Sequence, residues 1–127
     1  MNTHVEALTT AALSAALEGA SRRQAAIAAN LANVDTAGYV PLRLSFEAQV
    51  RQAQATLADR GALDPAAIDS LRGELEPLVG PDGSASQVRV DSEMVELARN
   101  AVQFQALVQG LSRHLALQAL AAADGRR

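Results

Sequence analysis

The sequence predicts an all-α protein, with long N- and C-terminal helices forming a coiled-coil-like pair. An irregular middle joins them, with one or two short helices and signals for a short extended hairpin. Three observations carry that expectation. Alanine fills 28 of the 127 positions and 11 of the first 32, and it is the strongest helix former by intrinsic propensity. Apolar residues toward the C-terminus recur at alternating steps of three and four, the heptad spacing of a helix seam. The length suits one domain, and only Tyr39, Phe46 and Phe104 are aromatic, so the core is built from small side chains and is thin. The expected division is a single domain, 1–127, in which 1–39 is the first helix and its exit, 40–90 the middle and 91–127 the last helix.

The first helix is expected from Thr3 to Ala32, interrupted only by Gly19. Leu13, Leu17, Ala20, Gln24, Ile27 and Leu31 share one face, while Ser14, Glu18, Arg22 and Arg23 lie mostly off it. The helix then ends abruptly. Asn30 and Asn33 fall on one side of its last turn, where their amides can reach carbonyls that a helix end leaves open, and Asn33 can take the left-handed cap conformation. Asp35 and Thr36 favour turns, and Gly38 can take a positive φ that reverses the chain before Tyr39. Two readings stay open from the residues alone: an ordinary helix exit, or a corner held in one geometry.

In the middle, Ser45 is a candidate cap for a helix with Phe46, Val50, Ala53 and Leu57 on one face, ending near Arg60-Gly61. Asp64-Pro65 reads as an N-cap with proline at the first helical position, leading into Ile68 and Leu71. Between Glu74 and Val90 the signals change to turns at Pro77 and Gly80-Pro81-Asp82-Gly83, with period-two alternation over Gln87-Val88-Arg89-Val90.

The last helix is expected from Ser92 to Ala122, with Asp91 or Ser92 as the cap and Glu93 and Glu96 complementing the helix dipole. Its seam is Met94, Leu97, Ala101, Phe104, Val108, Leu111, Leu115 and Gln118. Asp124-Gly125 stops it, followed by the cations Arg126 and Arg127. Each terminal helix would be about 45 Å long, the proportion of a coiled-coil piece. The seam has two readings of equal weight, an intramolecular core and an interface with other chains; Val95, Val102 and Leu107 flank it as candidates for further contacts.

Several function classes drop out. A formal net charge of −3 with eleven scattered arginines and no lysine does not suit neutralising phosphates, so no nucleic-acid partner is expected. The absence of cysteine removes disulfides, thiolate metal sites and thiol catalysis. His4 and His114 lie near opposite ends and have no partner of metal-binding or catalytic spacing. Asp64, Asp69, Glu74 and Glu76 lack the spacing of a calcium loop, and Pro81 spoils the Gly80–Gly83 turn as a phosphate cradle. No enzyme, cofactor or metal is expected. Residues 1–21 carry no Lys or Arg, and the apolar tract Leu115 to Ala123 is broken by Gln118. Neither a cleaved secretory signal nor membrane insertion is therefore expected.

The string Ala29-Asn30-Leu31-Ala32-Asn33, followed by Thr36, Gly38 and Tyr39, resembles the signature of flagellar rod, hook and hook-associated axial proteins. Phe46-Glu47, Asp82-Gly83, and the run from Val90-Asp91 through Glu93-Met94, Glu96-Leu97-Ala98 and Asn100 to Gln105-Ala106-Leu107-Val108 resemble the flagellar basal-body rod protein family, closest to its proximal rod members. Departures from the pattern are Ala37 where Pro or Thr is usual, Val40-Pro41 in place of a basic residue, and Phe104 where Tyr is common. The resemblance implies a structural subunit that polymerises through its terminal helices into the proximal rod of the motor drive shaft. It also implies passage through the flagellar type III export apparatus without a cleaved signal, and a place in the periplasmic rod. Implied partners are other rod subunits, the rod adaptor and the inner-membrane ring protein. Asn30, Asn33, Thr36, Gly38 and Tyr39 would form the corner. Leu13, Leu17, Ile27, Leu31, Met94, Leu97, Ala101, Phe104, Val108, Leu111 and Leu115 would serve helix packing and the subunit interface. The alternative from another class is a soluble helical adaptor or export chaperone that binds one partner helix along the seam.

Overall fold

A computed structural model describes residues 2–61 and 64–125. The elements run in the order α1 (Asn2–Ala32), β1 (Leu42–Ser45), α2 (Glu47–Arg60), α3 (Pro65–Ser70), β2 (Glu74–Pro77) and α4 (Val90–Asp124). α1 and α4 pair along their length in antiparallel sense. Contacts join Asn30 with Glu93, Arg23 with Gln103, Gln24 with Asn100, and Glu6 with His114. Their 31 and 35 residues correspond to rods of roughly 46 and 52 Å. α3 and β1 pack on another side of α1, so α1 is the one element in contact with most of the molecule.

The expected helices form, with ends that differ by a turn or less. α4 starts earlier than its acidic cap signals suggest: Arg89 is the N-cap with no side-chain bond, and Asp91 and Glu93 lie inside the first turn. There they complement the dipole instead of capping it. Asp64 caps α3 as its Asp-Pro pair indicates, accepting a hydrogen bond from the Ala66 amide at 3.0 Å. α2 closes at Gly61 with φ +65°, the left-handed conformation that glycine adopts without Cβ strain. Ser45 is not its cap, because that residue ends β1 and Phe46 takes the capping position without a side-chain bond. Arg126 and Arg127 lie outside the described residues.

The extended piece sits elsewhere than the Gln87–Val90 alternation indicates. β1 pairs antiparallel with β2 in the register Leu42↔Pro77, Arg43↔Glu76, Leu44↔Leu75 and Ser45↔Glu74. Residues 87–89 only lead into α4. The Gly80–Gly83 turn forms, with Gly83 N–H on the Gly80 carbonyl at 3.0 Å and a bridge between Val79 and Ala85 on either side. Asp82 Oδ1 accepts from both the amide and the hydroxyl of Ser84, at 3.1 and 2.6 Å, and these bonds hold its carboxyl below its ordinary pKa.

Among the described residues the buried aliphatic side chains are Ala15, Ala20, Ala26, Ile27, Leu44, Ala53 and Ile68, with the Pro41 ring fully buried as well, a thin core as the composition indicates. Four of the seven are alanines, which lets axes approach closely but contributes little apolar area per residue. Gly19 serves the same purpose: a Cβ there would lie 3.2 Å from the backbone oxygens of Leu71 and Arg72. Arg22 donates to the Gly73 carbonyl at 2.8 Å, and Arg72 meets Glu18 at 3.2 Å, fastening the end of α3 to α1.

Candidate functional site

Two features stand out: the corner after α1 and the outward face of α4. The corner is organised by Asn30, which is 2% exposed. Its Nδ2 donates to the Leu42 carbonyl at 2.9 Å and to Glu93 Oε2 at 3.3 Å. Its Oδ1 accepts from the Leu42 amide and from the Tyr39 hydroxyl, both at 2.9 Å. Both hydrogens and both lone pairs are therefore used. Asn30 serves Leu42 as a neighbouring strand would, and one side chain ties together the end of α1, the turn, β1 and the start of α4.

This corrects part of the reading from sequence. Asn30 does not bond the carbonyls at the end of its own helix; Asn33 does, its Nδ2 donating at 2.8 Å to the Ala29 carbonyl that its own amide also reaches at 3.2 Å. Asn33 achieves this without the left-handed cap conformation, since the only positive φ values among the described residues belong to glycines. Two turns follow, from Asn33 to Thr36 and from Thr36 to Tyr39, closed by backbone bonds of 3.0 and 3.2 Å. Thr36 donates its hydroxyl to Asn33 Oδ1 at 3.1 Å, and Gly38 takes φ +75°. That value at the third position of the second turn is open to glycine at little strain. Between Asn30 and Leu42 the chain is thus tied by side-chain and backbone bonds at each turn.

Along the α1–α4 contact the face of α4 is mostly polar. Asn100 is its one buried residue among those described, and its Nδ2 donates to the Ala20 carbonyl and to Gln24 Oε1, both at 2.9 Å. Its Oδ1 is buried with no hydrogen-bond partner. His114 Nε2 lies 3.3 Å from the Glu6 carbonyl and 3.1 Å from Gln118 Nε2. Gly110 faces Leu13, whose Cδ2 is 4.0 Å from where a Cβ would stand. On the α1 face read from the periodicity, Ala20 and Ile27 are buried, Leu13, Leu17 and Leu31 are half-buried, and Gln24 is exposed.

The apolar seam of α4 is rolled away from this contact by roughly 70° at 3.6 residues per turn. Leu97 and Leu111 are half-buried at its edge, while Ala101 is exposed. Met94 is 51% exposed, Phe104 40%, Val108 40% and Leu115 46%. Val95, Val102, Leu117 and Leu120 lie further round; Val95 is as open as Met94 and the other three are more open still. Periodicity located the stripe; it carried no information on which neighbour covers it. Asn100 and Glu93 were missed as contact residues because polar side chains do not register in an apolar period. Their step of seven to one another, and of seven to Leu107, is the signal that could have found them.

Chemistry has little to work with. The groove between α1, β1 and the start of α4, about 320 Å³, is lined by Arg23, Arg43, Glu93 and Glu96 among apolar residues, and Arg23 stacks on Phe46 at 4.5 Å from the ring centre. Opposed charges there form no nucleophile and base pair. Among the described residues no three His, Asp or Glu gather as metal ligands, and no helix is long and apolar enough to cross a membrane.

Two comparisons bear on the arrangement. Residues 1–39, which run from α1 through the corner to Tyr39, match the family profile described as flagella basal body rod protein. The flagellar basal body rod protein FlgB of Bacillus subtilis (strain 168) is 33% identical over 105 residues, covering 76% of this chain and 79% of the relative.

Proposed function

The chain belongs to the flagellar basal body rod protein family, as a non-enzymatic structural subunit of the proximal rod, and we propose that its α4 stripe is the surface through which it polymerises. Family membership implies assembly with other rod subunits and decides against a soluble adaptor or chaperone. The observation that carries the proposal is the stripe itself. Met94, Phe104, Val108 and Leu115 recur along about 32 Å of one side of α4 and are left 40 to 51% open, while the same helix turns a more polar face to α1. A contiguous apolar strip of that length marks a protein interface.

The buried core supports this reading too. Fixing a residue's backbone costs about 1 to 2 kcal/mol, and a core with four alanines among seven aliphatic side chains offsets little of that. Coverage of the stripe by neighbouring subunits adds burial, so the paired terminal helices of the free chain gain further stability on assembly. Leu13, Leu17, Ile27 and Leu31 then hold α1 against the inner side of α4, and Leu97 and Leu111 serve both contacts. The corner residues Asn30, Asn33, Thr36, Gly38 and Tyr39 fix where the middle segment leaves the rod of helices. Contacts with the rod adaptor and the inner-membrane ring protein, and passage through the type III export apparatus without a cleaved signal, are part of the same proposal.

Mass spectrometry of purified hook and basal-body particles tests it. Peptides of this chain at stoichiometric levels with other rod proteins are the expected result. Recovery of the other rod proteins without this chain would overturn the assignment to the rod.

A further inference from the structure

We propose that Asn100 and the Ala20–Gln24 notch set the heptad register in which α4 pairs with α1. This goes beyond the assembly reading and does not depend on it.

Heptad surfaces are repetitive, so two long helices with such surfaces can pair equally well after sliding by seven residues unless something breaks the repeat. On α1 the heptad equivalents of the Ala20–Gln24 pair, seven residues to either side, are Leu13 with Leu17 and Ile27 with Leu31. Only the middle pair combines a side chain small enough to expose a helix carbonyl with a side-chain acceptor. Asn100 uses both, donating one hydrogen to the Ala20 carbonyl and one to Gln24 Oε1, each at 2.9 Å. It is 2% exposed. A slide of one heptad in either direction puts its amide against Leu13 and Leu17 or against Ile27 and Leu31, where bulky side chains cover the backbone and no acceptor is offered. A buried amide without partners is disfavoured, so two of the three sites are excluded.

The slide is otherwise open to the chain. One heptad is about 10 Å of helix, and unwinding about six residues at the start of α4 supplies that length as extended backbone. In a rod, where neighbouring subunits present the same helix, the same key also rejects pairings that place Asn100 wrongly. Keeping one polar side chain in a helix interface to define register is a recognised use of buried asparagine.

The chain has no cysteine, so paired nitroxide labels report register directly. Ser21→Cys and Ala119→Cys are exposed positions on α1 and α4, about 26 Å apart along the axis in the observed register. Double electron–electron resonance on the isolated chain is expected to give one distance. With Gln24→Leu and Asn100→Leu together, which remove the buried amide and its side-chain acceptor, we expect additional distances arising from axial shifts of about 10 Å in either direction. Moving the key, by Asn100→Leu with Leu107→Asn, draws α4 seven residues toward the corner and reduces the axial separation to about 15 Å. An unshifted single distance in both variants would overturn the proposal. So would loss of helical circular dichroism with a broad distribution, because the pair would then supply stability instead of register.

Discussion

Met94→Asp separates the outward stripe from the fold that carries it. Met94 is 51% exposed, and full burial of such a side chain contributes roughly 1.5 to 3 kcal/mol. About half of that, near 1 kcal/mol, is already realised inside the chain, and a similar amount is available to a neighbour. In the isolated chain the carboxylate can turn to water, so the expected destabilisation is about 1 kcal/mol, small against the roughly 5 to 15 kcal/mol of a typical domain. In an assembled rod the carboxylate is sealed against an apolar partner, which adds a desolvation penalty of several kcal/mol. The combined loss of about 4 kcal/mol corresponds to a weakening of subunit contact on the order of a thousandfold. The assay is recovery of the variant in purified basal bodies, with motility of the complemented strain, beside thermal melting of the isolated protein. Wild-type incorporation with a wild-type melt would refute the argument that this face is covered in the rod. Loss of the fold in isolation would show that Met94 belongs to the intramolecular core.

Two further substitutions address the corner and the close helix contact. Asn30→Ala removes four hydrogen bonds and orphans the Leu42 amide and carbonyl, and a loss of about 3 to 5 kcal/mol is expected by urea denaturation; a loss below about 1 kcal/mol would mean that water replaces the amide without penalty. Gly19→Ala gains about 1 kcal/mol of helix propensity but drives a Cβ to 3.2 Å from two backbone oxygens, so net destabilisation of about 1 kcal/mol is expected. A higher melting temperature would show that α3 shifts aside freely.

Much of the fold was legible because it rests on local signals. Alanine density and the unbroken steps of three and four marked α1 and α4, Asp64-Pro65 marked the start of α3, and the Asn33, Thr36 and Gly38 turn chemistry marked the corner. What was hidden depends on contacts distant in sequence. β1 is four residues long and is stabilised by pairing with β2 about thirty residues later, while the better alternation at Gln87–Val90 has no partner strand and yields to α4. Glu93, the partner that joins Asn30 to α4, lies 63 residues away, and the partners of Asn100 lie 80 and 76 residues away. The outward residues of α4 were legible as an apolar stripe, but an apolar period does not say which surface meets it.

That ambiguity bears on how such a subunit works. A helix that used its best apolar face to pair with its own partner would fold well alone and have nothing left for a neighbour. α4 divides the two tasks around its circumference. Its intramolecular face is held by Glu93 on Asn30, Asn100 on the Ala20–Gln24 notch, and the His114 and Gln118 contacts near Glu6, each a directional bond of modest net strength. Directional bonds fix roll and register without consuming apolar area, so the stripe is presented at a defined angle to the corner that Asn30 also holds. The consequence of the proposed assembly is that the exposed Met94, Phe104, Val108 and Leu115 are left for another subunit to cover, at a roll angle that the polar contacts with α1 set.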